Sequence, residues 1–198
     1  MPKETTLYPV VLSVPAKDRQ LKGKKKVTAL SRYARQALEI SAYKSGVFLK
    51  DLHKDDDGTP LPFDGYYWSL SHKSTYACGV IATSPVGIDI EKIRPVAKPL
   101  FKRTASETEW ALSTEDALHL FFRYWTAKEA VLKAATTGIK GLAKCRVISI
   151  VDAYHLVITY QDKEWLVEHF IFEKHIVSVV KVAEHIEWVV AEDFKVIN

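Results

Sequence analysis

Gly87-Ile88-Asp89-Ile90-Glu91-Lys92 is the stretch on which the rest of the chain turns. Isoleucine alternating with acid has the period of a β-strand, which sends Asp89 and Glu91 to one face and the isoleucines to the other. Gly87 precedes this run and Lys92-Ile93-Arg94-Pro95 closes it, so the carboxylates fall at a strand rim. About forty residues on, Trp125-Thr126-Ala127-Lys128-Glu129-Ala130-Val131-Leu132-Lys133 has the other period. Trp125, Glu129 and Lys133 recur at every fourth position and line one side of a helix, with a carboxylate one turn before an ammonium. Mg2+ takes oxygen ligands in a near-octahedral shell and leaves positions for water and substrate phosphate. Asp89, Glu91 and Glu129 suit that need, and Lys128 and Lys133 are placed for phosphoryl oxygens and for charge on a leaving group.

The chain around these stretches is that of an ordinary globular protein. Its 198 residues are 47% hydrophobic and 26% charged, enough to bury a full core in one or two domains. Two distant cysteines, Cys78 and Cys145, form neither a disulfide framework nor a CxxC pattern, which fits a reducing compartment. No run of about 18 apolar residues is present. Met1-Pro2-Lys3-Glu4-Thr5 lacks the charged-then-apolar profile of a signal peptide, so a cytoplasmic location is expected. The net charge of +4 is mild, with Lys22, Lys24, Lys25 and Lys26 gathered around Gly23 in what reads as a solvated loop or a polyanion-attracting cluster.

Periodicity predicts a strand over 7–14, a helix over 28–45 and strands over 66–71, 76–82 and 85–91, with short polar turns that favour antiparallel neighbours. Leu30, Ala34, Ala37, Leu38 and Ser41 form the inner stripe of that helix, with Arg32 and Arg35 on its other side. Asp55-Asp56-Asp57-Gly58-Thr59-Pro60 reads as turn and lacks the spacing of a calcium loop. A second long helix is expected over 114–135, with Ser113 and Asp116 as a capping pair and Gly138 past its end. Strands follow near 147–150, 155–160, 165–172, 176–182 and 188–191, with a hairpin at Glu173-Lys174-His175. The class is α+β, a pseudo-duplication of two similar halves, each a main helix packed on antiparallel strands, with halves at 1–92 and 93–198.

The motifs resemble those of the 4′-phosphopantetheinyl transferases, and within them the monomeric surfactin-synthetase-activating type. Gly87 to Glu91 is similar to the family's Gly-Ile/Val-Asp-x-Glu strand end, and Trp125 to Lys133 to its Trp-Ser/Thr-x-Lys-Glu-Ala/Ser-x-x-Lys helix. Trp68-Ser69-Leu70-Ser71-His72 resembles the Asn-x-Ser-His segment that meets coenzyme A phosphates, and His72 precedes Asp89 by 17 residues. Ser106-x-Thr108-Glu109-Trp110 resembles the intervening segment that brings a glutamate close to the metal. Arg35 and Arg32 are similar in place to the arginine on the 3′-phosphate. Gly58-Thr59-Pro60 stands where the family has Gly-Lys-Pro beside the nucleotide, and Thr59 departs from it by lacking the charge.

The resemblance implies coenzyme A bound in a cleft between the halves, and transfer of its phosphopantetheine arm to a serine of an acyl, peptidyl or aryl carrier protein, releasing adenosine 3′,5′-bisphosphate. It implies Mg2+ on Asp89, Glu91 and Glu129. Glu129, or else Glu109, is the expected base, and Lys133 assists the leaving nucleotide. Ser71, His72, Lys128, Lys133, Arg35, Arg32, Gly58 and Pro60 are expected on coenzyme A. A monomer is expected, with neither nucleic acid nor membrane as partner. A Mg2+-dependent nucleotide pyrophosphohydrolase would also use clustered acids, but with several glutamates on one helix. A non-catalytic polyanion-binding module would rely on Lys22 to Lys26 and have no need of Asp89 or Glu91.

Overall fold

A computed structural model describes residues 6–56 and 58–191 of the chain. The N-terminal stretch Met1 to Thr5 and Asp57 of the aspartate run lie outside the described residues. The chain forms two units, one taking residues up to Ser84 and those from Ala183 on, the other Pro85–Val182. In chain order the elements begin with β1 (Thr6–Leu7), β2 (Val10–Ser13), α1 (Ala16–Arg19), α2 (Gly23–Lys44), β3 (Tyr67–His72) and β4 (Tyr76–Ala82). There follow β5 (Ile88–Lys92), α3 (Lys98–Thr104), α4 (Glu107–Trp110), α5 (Ala117–Ala134) and a 3-10 turn, Ile139–Lys144. The last are β6 (Arg146–Ile150), β7 (His155–Tyr160), β8 (Lys163–Phe172), β9 (His175–Val180), β10 (His185–Ile186) and β11 (Val189–Ala191).

In the first unit α2 packs on a four-stranded sheet of order β11-β2-β4-β3. The expected inner stripe is the buried one, with Leu30, Ala34, Ala37, Leu38 and Ser41 all withdrawn from solvent. The helix starts at Gly23 rather than near residue 28, so Lys24, Lys25 and Lys26 belong to its first turn and not to a loop. Straight-chain lysines are good helix formers, and Lys26 Nζ reaches back to Arg19 O at 3.2 Å. The predicted strand over 7–14 is divided at Tyr8-Pro9, where proline offers no N–H to a ladder.

In the second unit α5 lies on one face of a five-stranded antiparallel sheet of order β5-β9-β8-β7-β6. Tight two-residue turns at Gln161-Asp162 and Glu173-Lys174, all four at positive φ, close the β7–β8 and β8–β9 hairpins. Asp116 alone caps α5, accepting from His119 N at 2.9 Å, while the expected partner Ser113 accepts from Glu115 N instead. The helix therefore begins at residue 117 rather than 114.

The α+β class with a main helix on antiparallel strands describes both units. Each runs strand, long helix, then antiparallel strands whose last member returns to pair with the first, β2 with β4 and β5 with β9. The boundary expected after residue 92 moves to Ser84/Pro85, because β5 takes its hydrogen bonds from β9 of the second unit. β11 likewise leaves the second unit, since it pairs with β2, and in parallel. Pairing partners far along the chain decided both boundaries.

Each unit lets its helix onto the sheet at a glycine. A Cβ on Gly79 of β4 would stand 2.5 Å from Leu38 N, and one on Gly87, just before β5, 1.8 Å from Ala130 O and 2.8 Å from Ala134 N. No L side chain fits at the second position without moving α5. Gly87→Ala is therefore expected to lower the free energy of unfolding by about 3 kcal/mol or more, at the upper end of overpacking effects. Urea denaturation followed by circular dichroism measures it, and a loss under about 1 kcal/mol would contradict so close a helix–strand approach.

Candidate active site

The close approach at Gly87 sets what the two motifs do. Side chains of β5 alternate, and Gly87, Asp89 and Glu91 share the face on which α5 lies, while Ile88 and Ile90 are fully buried on the other. Asp89 is 6% exposed and Glu91 half-buried. On α5, Trp125, Glu129 and Lys133 are half-buried along one flank, as the four-residue spacing predicts. The Lys133 ammonium crosses to β5, donating to Asp89 Oδ1 at 2.8 Å and to Ile88 O at 2.9 Å. Strand motif and helix motif are thus joined by a direct, partly buried ion pair.

A buried polar chain fixes the register of that join. Thr126 Oγ1 donates to Phe122 O at 2.7 Å, so the hydrogen in its 2.5 Å contact with Ser178 Oγ comes from the serine. Ser178 then accepts from His169 Nδ1 at 2.8 Å, which makes His169 the Nδ1–H tautomer. Burial first, and then the positive charge of Arg123, pushes the His169 pKa well below its usual value. Ser178 is the β9 residue opposite Asp89. Sequence reading passed over Thr126, Ser178 and His169. The available signal was a lone serine inside the apolar run His175-Ile176-Val177-Ser178-Val179-Val180, since a buried hydroxyl needs a partner.

Lys128 departs from its neighbour Glu129 toward the opposite flank of α5. It is 1% exposed, and its ammonium donates to Glu109 Oε1 at 2.6 Å and to Thr104 O at 2.7 Å. Glu109 Oε1 also accepts from Val147 N at 2.9 Å, and its Oε2 from Ser106 N at 2.8 Å and Ser106 Oγ at 2.9 Å, as the third residue of a capping box on α4. Burial alone would raise the Glu109 carboxyl, but the hydrogen bonds and charge of Lys128, with the Ser106 and Val147 N–H groups, hold it below the usual carboxylate value. Four accepted hydrogen bonds leave this carboxylate no free site for a substrate proton. The structure thus ties Glu109 and Lys128 to each other and, through them, α4 and β6 to α5. The Cys145 thiol on the same side is pushed up to about 12, chiefly by burial, and is not a nucleophile.

Residues 85–181, nearly all of the second unit, match the family model described as the 4′-phosphopantetheinyl transferase superfamily. Over that stretch the second unit is similar to that superfamily. The chain is similar to 4′-phosphopantetheinyl transferase HetI of Nostoc sp., 39% identical over 90 residues, which is 42% of this chain and 38% of that protein. It is also similar to 4′-phosphopantetheinyl transferase psf-1 of Bacillus pumilus, 33% identical over 91 residues (43% and 39%). With 4′-phosphopantetheinyl transferase Sfp of Bacillus subtilis it shares 29% identity over 77 residues (37% and 34%). The matched stretch covers well under half the length of each of these relatives.

Outside the superfamily match lie the expected coenzyme A residues of the first unit. Ser71 and His72 end β3, opposite Cys78 and Ala77 of β4, and are half-buried. Arg35 is exposed on α2, and Arg32 lies over the Tyr33 ring and donates to Asp18 Oδ2 at 3.3 Å. Gly58, at φ 81°, and Pro60 sit in a turn tied by Thr59 N to Asp55 Oδ1 at 2.7 Å. Within the superfamily unit, Asp89 meets Lys133 and Glu109 meets Lys128. Among the described residues no three His, Cys, Asp or Glu side chains form a ready-made metal cage. No helix among them is long and apolar enough to cross a membrane.

Removing one partner of a buried ion pair strands the other charge, at about 3–5 kcal/mol. Glu109→Ala is expected to cost that much at about pH 7 in urea unfolding. Since pairing depresses the folded pKa of Glu109, its contribution is complete above the unfolded carboxyl value near ~4.3 and is lost as pH falls through the lower folded value. The gap between wild type and Glu109→Ala should therefore narrow at about pH 3, and a gap that is constant with pH would contradict the pairing.

Proposed function

We propose that the protein transfers the 4′-phosphopantetheine group of coenzyme A to a serine hydroxyl of an apo carrier protein, with Mg2+ as cofactor and adenosine 3′,5′-bisphosphate as product, acting as a cytoplasmic monomer. The observation that carries this reading is the contact of Lys133 with Asp89, which joins the strand and helix motifs inside the superfamily match. The donor chemistry fits Mg2+. Asp89 and Glu91 lie on one strand face, with Glu129 one turn before Lys133, and all offer hard oxygens. Mg2+ is commonly held by one or two carboxylates, with waters and substrate phosphates completing its shell, so it needs no ready-made cage of three side chains. Bound there, the ion would neutralise charge on the coenzyme A pyrophosphate.

In this mechanism the chain's own groups divide the remaining work. Asp89, Glu91 and Glu129 would hold the cation, and Glu129 takes the proton from the serine Oγ as that oxygen attacks the β-phosphorus and the bond to the departing nucleotide breaks, a contribution of about 10²–10⁴-fold for a usual general base. The Lys133 ammonium, which neutralises Asp89 in this structure, turns to the phosphate of the departing nucleotide and stabilises its charge. Lys128 acts at one remove by holding Glu109 and, through it, the fold of α4 and β6 against α5. In the first unit, anion binding is assigned to Ser71, His72, Arg35 and Arg32, and the nucleotide border to Gly58 and Pro60.

The test is incubation with apo carrier proteins, coenzyme A and Mg2+, followed by intact mass of the carrier. A gain equal to one phosphopantetheine group is expected, abolished by EDTA and lowered about 10²-fold or more in Asp89→Ala. Folded protein that modifies none of several acyl, peptidyl and aryl carriers would overturn the function. Modification that survives Asp89→Ala unchanged would overturn the site.

A further inference from the structure

The far flank of α5 opens on a cavity, with Lys128 and Glu109 in its wall, that lies apart from the Asp89 and Lys133 pair. It has a volume of about 430 Å³ and is walled by α3, the loop leading to α4, the 3-10 turn and the start of β6, the strand at the opposite sheet edge from β5. That size lies within the usual span of small-ligand pockets, roughly 300–1,000 Å³. Its lining gathers Lys102, Arg103, Lys140, Arg146 and Lys128 against one carboxylate, Glu109, whose oxygens are already filled by protein donors. None of the four outer cations is in an ion pair among the described residues.

Lys102 and Arg103 have a local reason to be where they are, in the last turn of α3, where the helix dipole favours cations. Lys140 and Arg146 come from separate elements beyond α5, the 3-10 turn and the edge strand β6, and bring like charges toward the same space. On the floor, Lys128 is 1% exposed, and its two protein acceptors, Thr104 O and Glu109 Oε1, account for two of its three N–H donors. Convergent positive charge with a donor left over at the floor is the electrostatics of an anion receptor. No aromatic ring lines the cavity, so nothing there stacks a nucleobase.

We propose that this cavity binds a compact, multiply charged, non-aromatic phosphate such as a diphosphate, at a site separate from the acidic cluster on β5. The site does not depend on the transferase reading, because no residue of the Asp89 and Lys133 pair takes part in it.

The probe is inorganic pyrophosphate, titrated calorimetrically in low salt with EDTA and no divalent cation. One-to-one binding is expected, equal in wild type and Asp89→Ala, weaker by about tenfold or more in Lys140→Ala/Arg146→Ala, and weaker as salt is raised. Lys140 and Arg146 are exposed, and thermal unfolding of the double variant checks that it is folded. Absence of saturable binding would overturn the site. So would binding lost in Asp89→Ala but kept in the double variant, which would put pyrophosphate at the acidic cluster. A double variant that loses affinity for an acidic carrier protein while binding pyrophosphate as before would make the patch a protein-docking surface and also overturn the proposal.

Discussion

The absence of a side chain at Gly87 governs the second unit. With a Cβ position only 1.8 Å from Ala130 O, the helix backbone lies directly on the strand, and every side chain beyond that point on β5 and α5 is drawn into reach of the other element. Lys133, one turn beyond Glu129, meets the carboxylate two residues along the strand from Gly87. The hydroxyl contact of Thr126 with Ser178 fixes the helix along its axis, because a shift of one residue would leave the buried Ser178 proton without its Thr126 acceptor. The first unit repeats the device at Gly79 against Leu38. A small residue under a helix is thus part of the shared plan of strand, helix and returning strand.

α5 separates its charges by the geometry of a helix. Consecutive residues point about 100° apart, so Lys128 and Glu129, adjacent in the chain, serve different flanks. On one, Glu91, Glu129 and Lys133 are half-buried and Asp89 is buried beneath the Lys133 ammonium. On the other, Lys128 and Glu109 are withdrawn from water, and the Tyr124 hydroxyl, which donates to Glu109 O, is pushed up to about 12, mainly by burial. An ion pair in such a place is stable only because its carboxylate is otherwise satisfied, by the cap of α4 and the Val147 N–H of β6. One nine-residue motif therefore holds α4 and β6 on one side through Lys128 and reaches β5 on the other through Lys133.

Much of this was legible beforehand, where local periodicity carries the information. The five-residue inner stripe of α2, the strands β3, β4 and β5, and the hairpin at Glu173-Lys174 follow from residue spacing and turn chemistry. The start of α2 did not, because a lysine run is compatible with loop and with helix until its neighbours are present. The unit boundaries did not, because β5 and β11 find partners about ninety and one hundred and eighty residues away in sequence. Ser178 and His169 stayed hidden inside an apolar strand pattern, since what makes them matter is the face of α5 above them.

By itself the sequence determined the periods of Asp89-Ile90-Glu91 and of Trp125 to Lys133, and with them which side chains share a strand face or a helix flank. These are properties of the backbone's own repeat and need no partner. Only the tertiary structure decided which acid each lysine meets. Lys128 and Lys133 are equivalent ammonium groups on one helix, but the first is enclosed by α3, α4 and β6 while the second lies over β5. Burial on one flank and reach to solvent on the other then gave identical side chains different partners.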